Sequence, residues 1–320
     1  MDKNDTCSQP FDIHKWVPVT ILISCVLSVI GSLLIICTFI IWRDLRTKAR
    51  KLLVYLSITN FLASVGYAYG ISNNLLKSNF FNSTECEVQS GITTFSETSS
   101  YLWTVAIATY IYASIVKSCR MVLDWLIRIF HLVCWGVPLV TVVVAVNFKV
   151  LGYDNSCTTA GWCWIHNFSP KHKFEWMMWR LIGGKFWEMA AYFVLLILYF
   201  QINKCMCYQN QVADISNQRS VSAAADRIDH KLTAIPTIFL LLNIWSTLRF
   251  ILTLCHKNVS NPVLFLLHGV GDSFQGAANC IIFCFCNDII RRRFMQSCGN
   301  LFRGPCCYER TERTQRLLAD

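Results

Sequence analysis

Residues 268–283 read HGVGDSFQGAANCIIF, and the fold turns on how this stretch is understood. It sits inside an apolar run, 263–286, long enough to cross a hydrocarbon core of about 30 Å. Yet it carries His268, Asp272, Gln275, Asn279 and three glycines. The four polar residues follow 4-3-4 spacing, so they line one face of a helix. Polar side chains inside a membrane face other protein or an enclosed aqueous space, because hydrocarbon offers them no partner. The stretch therefore reads as one helix of a larger assembly.

Six further apolar runs of about 20 residues or more lie near 18–42, 52–73, 88–116, 126–148, 176–202 and 232–254. The chain is 54% hydrophobic and only 15% charged, with mean hydropathy +0.41, which sets it apart from soluble domains of its length. The expected fold is an all-α membrane protein, a seven-transmembrane helix bundle. The expected organisation is a short outer N-terminus (1–17), a membrane domain (18–286) and an inner segment with a short helix 8 and tail (287–320). The first 16 residues are polar and the first run exceeds a signal-peptide core, so that run reads as a helix that inserts and stays.

Basic residues set the expected orientation. Arg43, Arg46, Lys48, Arg50 and Lys51 lie between spans 1 and 2, Lys117, Arg120 and Arg128 follow span 3, Lys204, Arg219, Arg227 and Lys231 follow span 5, and Arg291 to Arg293 open an arginine-rich tail. The opposite side is sparse in Lys and Arg. The N-terminus is thus expected outside and the C-terminus inside, and the net charge of +10 reads as topology and contact with anionic lipid, with no nucleic-acid partner. Four glycosylation sequons, at Asn4, Asn82, Asn167 and Asn258, all fall on the side assigned outside.

Cysteines divide by the same boundary. Cys7, Cys86, Cys157, Cys163 and Cys255 face the oxidising side. Cys86 at the start of span 3 and Cys163 in the loop after span 4 are the preferred disulfide, with free thiols as the other reading. Cys7, Cys157 and Cys255 stay unassigned. Cys298, Cys306 and Cys307, beside basic residues after span 7, are candidates for palmitoylation or ordinary reduced thiols. No metal site or cofactor is expected.

Apart from those at helix ends, six ionisable residues fall inside the spans in their outer half or near the middle: Glu97, Lys185, Glu188, Arg249, His268 and Asp272. An outward-opening ligand pocket accounts for them, with Trp162 and Trp164 of the outer loop over its mouth. The other reading is an internal network, Lys185 with Glu188 or Arg249 with Asp272. The lower part of the stripe, Gln275, Gly276 and Asn279, is expected to pack between helices and shift in a conformational change.

Several motifs arrive in order along the spans. Trp135-Gly136-Val137-Pro138, Lys231-Leu232-Thr233-Ala234-Ile235-Pro236, Phe274-Gln275-Gly276, Phe285-Cys286-Asn287-Asp288 and the loop pair Cys163-Trp164 resemble motifs of the secretin-like (class B) G-protein-coupled receptors. AGWCWI (160–165), GKFWEMAAY (184–192) and WSTLRFILTLC (245–255) are similar to a group of orphan receptors between that family and the cyclic-AMP-type receptors of slime moulds. The resemblance implies a plasma-membrane receptor, with a specialised subdomain such as the ciliary membrane left open. It implies an extracellular ligand and a heterotrimeric G protein as partners, and points towards Gq and phospholipase C. Switch and packing positions would be Pro236, Gln275, Gly276, Asn279, Trp135 and Pro138, and G-protein-facing positions Lys117, Arg120, Lys231 and Asn287.

The chain also departs from the secretin-like pattern. About 16 residues precede span 1, so the hormone-binding ectodomain of that family is not expected here. Ile107 and Val54 stand where the family has a buried Glu and a His, and the PxxG kink of span 6 reads Pro236-Thr237-Ile238-Phe239. A polytopic transporter or channel for a small polar solute is the rival reading. Against it, no internal repeat is visible and no ring of identical ligands can be drawn. A retinal protein needs a lysine in the last span, and 263–286 has none. A zinc hydrolase needs three protein ligands, and His268-x-x-x-Asp272 supplies two.

Overall fold

The computed structural model describes residues 16–43, 46–76, 84–116, 120–153, 161–166, 173–216, 234–255, 261–286 and 290–292. The elements are α1 (Trp16–Ile41), α2 (Lys48–Leu76), α3 (Thr84–Val116), α4 (Arg120–Asn147), a two-stranded antiparallel ribbon of β1 (Leu151–Gly152) and β2 (Trp164–Ile165), and α5 (Lys173–Arg180). A π turn (Leu181–Lys185) leads into α6 (Phe186–Ser216), followed by α7 (Ala234–Leu254), α8 (Pro262–Ser273), α9 (Gln275–Cys280) and a second π turn (Ile281–Phe285). All seven apolar runs are helical over nearly all their described residues.

The packing is inverted relative to a soluble protein. On α1 the buried face carries Ser24, Ser28, Gly31 and Ser32, while Ile23, Val26, Leu27, Ile30 and Leu33 are exposed. Leu139, Val140 and Val143 of α4 and Phe193, Leu196 and Phe200 of α6 are exposed likewise. Water would penalise such apolar bands, and a bilayer accepts them while small residues bring helices together.

Among the described residues, five helices are long and apolar enough to cross a membrane: Trp16–Ile41, Lys48–Asn73, Met121–Asn147, Phe174–Cys205 and Ala234–Leu254. Two of the seven runs fall short of that standard for different reasons. Helix α3 is long but polar, burying Thr93, Thr94, Ser96, Thr98, Ser99, Ser100 and Thr104. It packs against α2, α4, α6, α7 and both strands, so its neighbours are protein and it does not need an apolar surface. The 263–286 run is broken into α8, α9 and a π turn.

That break is the main departure from a continuous helix. Phe274 interrupts the run, and the polar backbone groups around it find partners on other helices. The Gly276 N–H donates to Ser28 Oγ of α1 at 3.0 Å, and Ser64 Oγ of α2 donates to the Ser273 carbonyl at 3.3 Å. Broken backbone at such a depth persists only where these groups are satisfied again. Gly276 is needed because a Cβ there would collide with Ser28 and Ser32.

At one end of the helices an apolar cluster packs Ile35, Leu52, Leu56, Ile107, Ile111 and Phe283. Ile107, where the secretin-like pattern has a Glu, is fully enclosed in it. At the other end Val17, Ile21, Tyr67, Phe265 and Trp162 form a second cluster under the loop. Between the two ends lies the polar layer that holds the candidate site.

Candidate functional site

The loop is placed first. A disulfide joins Cys86, at the start of α3, to Cys163, with Cα atoms 5.6 Å apart. Gln89, one turn further along α3, accepts a hydrogen bond from the Cys163 N–H at 2.9 Å. Trp162 then lies against Tyr67 (centroids 4.4 Å) and edge-on to His268 (5.8 Å). Trp164 follows in β2, where Gly183 and Gly184 of the first π turn let the loop come close. A Cβ on Gly183 would meet Ile165, and one on Gly184 would meet Trp164, each at 3.2 Å.

Beneath this loop lies a cavity of about 460 Å³, its mouth included. Glu97, Lys185, Glu188, Arg249, His268, Asp272, Trp162 and Trp164, which the sequence singled out, all line it. Tyr101, Arg180, Ser246, Phe250 and Thr253 line it as well and were not anticipated.

The charged groups form two linked sets. Lys185 Nζ donates to Glu188 Oε2 at 2.5 Å and to Ser246 Oγ of α7. The other carboxylate oxygen of Glu188 accepts from Tyr192 at 2.7 Å and from Thr247 of α7. Glu188 is fully buried, and its bonds tie α6 to α7. Neighbouring hydroxyls satisfying both ends is what a buried ion pair requires.

The second set is a relay. Arg249 N–H donates to His268 Nδ1 at 2.5 Å, and His268 Nε2 lies 2.9 Å from Asp272 Oδ2. A guanidinium can only donate, so Nδ1 accepts, and Nε2 carries the proton given to Asp272. The imidazole therefore stands between Arg249 and Asp272, two residues the sequence had offered as a direct pair. Asp272 Oδ1 has no hydrogen-bond partner.

Arg180 is the charged residue of the cavity lining that sequence reasoning missed. It is buried and lies over the rings of Trp176 (4.6 Å), Trp164 (5.3 Å) and Phe250 (5.4 Å). Its position at a helix end led to its being passed over. The signal was Trp176 four residues earlier, the spacing that stacks a cation on an aromatic ring of the same helix face.

The remaining expected positions are scattered. Gln275 and Asn279 are buried below the break, and both amide atoms of Asn279 lack partners. Trp135 stacks with Phe95 and meets Trp103 edge-on, and Pro138 is inside α4. Pro236 lies in the first described turn of α7. Asn4, Asn82, Asn167, Asn258, Lys117, Lys231, Asn287, Cys298, Cys306 and Cys307 lie outside the described residues, as does the side chain of Arg120. Among the described residues no three His, Cys, Asp or Glu side chains come together to hold a metal ion.

Helices apolar enough to span a membrane, a loop pinned by a disulfide and a charged cavity beneath it fit the G-protein-coupled receptor class to which comparison with known proteins leads. The family model for the slime mold cyclic AMP receptor matches residues 11–311, and the chain belongs to that family. It is 40% identical over 315 residues to G-protein coupled receptor 157 of Rattus norvegicus, covering 95% of this chain and 90% of that protein. Against the Homo sapiens protein of the same name the identity is 42% over 285 residues, with 87% and 83% covered. Cyclic AMP receptor-like protein A of Dictyostelium discoideum is 25% identical over 266 residues, 81% of this chain and 62% of that protein.

Proposed function

We propose that the chain is a seven-helix plasma-membrane receptor, N-terminus outside, that binds a small polar extracellular ligand and activates a heterotrimeric G protein. The observation that carries the reading is the convergence of eight residues, chosen from the sequence for their charge or place in the loop, on one cavity. Both charge signs line it, which suits a zwitterionic ligand. Lys185 and Glu188 are committed to each other and to α7, so their role is to position the wall. Glu97, Arg180 and the Arg249–His268–Asp272 relay also line the cavity and are the groups assigned to contact a ligand.

Signalling requires the ligand to bind one arrangement of helices better than another. Displacing Asp272 or Arg249 breaks the relay between α7 and α8, and α8 leads directly into the break at Phe274. Movement at Pro236 would open a cleft on the inner side. Lys117, Arg120, Lys231 and Asn287 would meet the Gα subunit there, with Cys298, Cys306 and Cys307 as lipid anchors. The resemblance to secretin-like and related orphan receptors favours Gq.

The test is to express the chain in cells, verify surface display, and record dissociation of each Gα class without added ligand. Basal activation of Gq sensors is expected, reduced by Arg249→Ala at equal surface level. Activation of another class would overturn the Gq assignment. Silence across all classes despite full display would mean a strict agonist requirement or reopen the transporter and channel reading.

A further inference from the structure

A second chamber, about 270 Å³ including its opening, adjoins the ligand cavity and reaches the helix break. Glu97, Tyr101 and Asp272 line both spaces. Of the residues around the second, all but Ala63 bring a polar side-chain atom. Its free space holds roughly one water-sized body. An organic ligand does not fit.

Among the described residues, the wall leaves one carboxylate oxygen and two amide nitrogens without a hydrogen-bond partner. The Asp272 side chain is 5% exposed, Oδ2 faces His268, and Oδ1 has no partner. A buried carboxylate oxygen in this condition calls for a proton, a water or a cation. The protein's own cations are already engaged nearby, Lys185 with Glu188 and Ser246, and Arg249 with His268. Glu97 adds a second carboxyl group to the same wall.

The two amides of the chamber point the same way. Asn60 Oδ1 and Gln275 Oε1 both face the single hydroxyl of Ser100, at 2.9 and 3.4 Å, while Asn60 Nδ2 and Gln275 Nε2 have no partner. One hydroxyl proton cannot serve two acceptors, whereas one hydroxyl oxygen can accept from two donors. The two ends of an amide are equal in size. Turning both amides satisfies the NH2 groups at Ser100 and leaves two carbonyl oxygens as the unpartnered atoms of two residues that line the chamber.

We infer that this chamber binds a single small monovalent cation, sodium in size, between Asp272 and Glu97, with Asn60 and Gln275 completing its oxygen shell. A divalent ion is disfavoured because magnesium demands a near-octahedral shell and calcium six to eight oxygens. The ion would join α2 (Asn60), α3 (Glu97) and both sides of the break (Asp272, Gln275). It would therefore stabilise the arrangement in which Ser28 and Ser64 cap the broken backbone. The chamber shares Glu97 and Asp272 with the ligand cavity, but its test needs neither agonist nor G protein, so the two readings fail separately.

The test is the thermal unfolding of the purified full-length protein in lipid nanodiscs. NaCl is exchanged for choline chloride at constant ionic strength, with a parallel series in KCl. The expected result is a melting temperature that rises with sodium and saturates, rises less with potassium, and loses its sodium dependence in Asp272→Asn and in Glu97→Gln. In choline chloride both variants should melt at or above the wild-type temperature, because an unmatched buried carboxylate is gone. Identical melting of the wild type in sodium and choline would overturn the inference. So would a sodium shift that survives in both variants. Should a variant give no unfolding transition, the wild-type comparison decides by itself.

Discussion

At the scale of single residues, the consequences of adding one atom are sharply graded. A Cβ on Gly271 would run into the Leu242 carbonyl oxygen of α7, which is backbone and cannot swing aside. Gly271→Ala should cost about 1–3 kcal/mol through forced separation of two helices. A Cβ on Gly136, the glycine of the Trp135–Pro138 motif, would meet nothing within 4 Å. Gly136→Ala should be neutral or stabilise by up to about 1 kcal/mol, the usual gain of replacing a helical glycine. Thermal unfolding of the two variants side by side checks the contrast, and equal losses would refute it. Glu188 is the second residue-scale case. Replacing Lys185 alone by Met strands a buried carboxylate and should cost about 3–5 kcal/mol. Lys185→Met combined with Glu188→Gln should recover part of that loss, and a double variant as unstable as the sum of its parts would argue against coupling.

At the scale of elements, the break between α8 and α9 is held by side chains of other helices. Ser28→Ala removes the acceptor for the Gly276 N–H and should cost about 1–3 kcal/mol, the penalty of an orphaned buried donor. Ser64→Ala should cost less, because its bond to the Ser273 carbonyl is longer and a carbonyl tolerates loss of one donor better than an N–H. The order of the two melting temperatures is the measurement, and the reverse order would assign the cap to Ser64. The break itself was not legible in the run 263–286, whose apolar content and polar stripe both suit a continuous helix. What favours the break is the line of Ser24, Ser28 and Ser32 on α1, which matters only once the two helices are known to touch.

At the scale of the whole molecule, the disulfide closes a long stretch of chain between Cys86 and Cys163, 77 positions apart. Reduction, or Cys86→Ser with Cys163→Ser, should remove about 4–5 kcal/mol by loop-closure entropy and release Trp162 from Tyr67. A melting temperature unchanged by reductant would show that Gln89 alone suffices to seat the loop. The orientation expected from the basic loops is tested independently. An N-terminal epitope should be reached by antibody on intact cells, and a C-terminal one only after permeabilisation. The opposite labelling would invert the assignment of the cavity to the outer face.

By itself the sequence determined where the helices run, since long apolar segments in a bilayer have few other ways to satisfy their backbone. It also determined which ionisable residues are exceptional, because a charge inside an apolar run is costly wherever it lies. Periodicity put His268, Asp272, Gln275 and Asn279 on one face. It could not say whose side chains meet that face. Tertiary structure decided that His268 stands between Arg249 and Asp272, that Arg180 lies among three aromatic rings, and that serines of α1 and α2 cap the break. The physical reason is that helical period is a property of one strand of chain, read locally. Pairing across helices depends on how small residues let backbones approach, and that is fixed only when all the neighbours are in place.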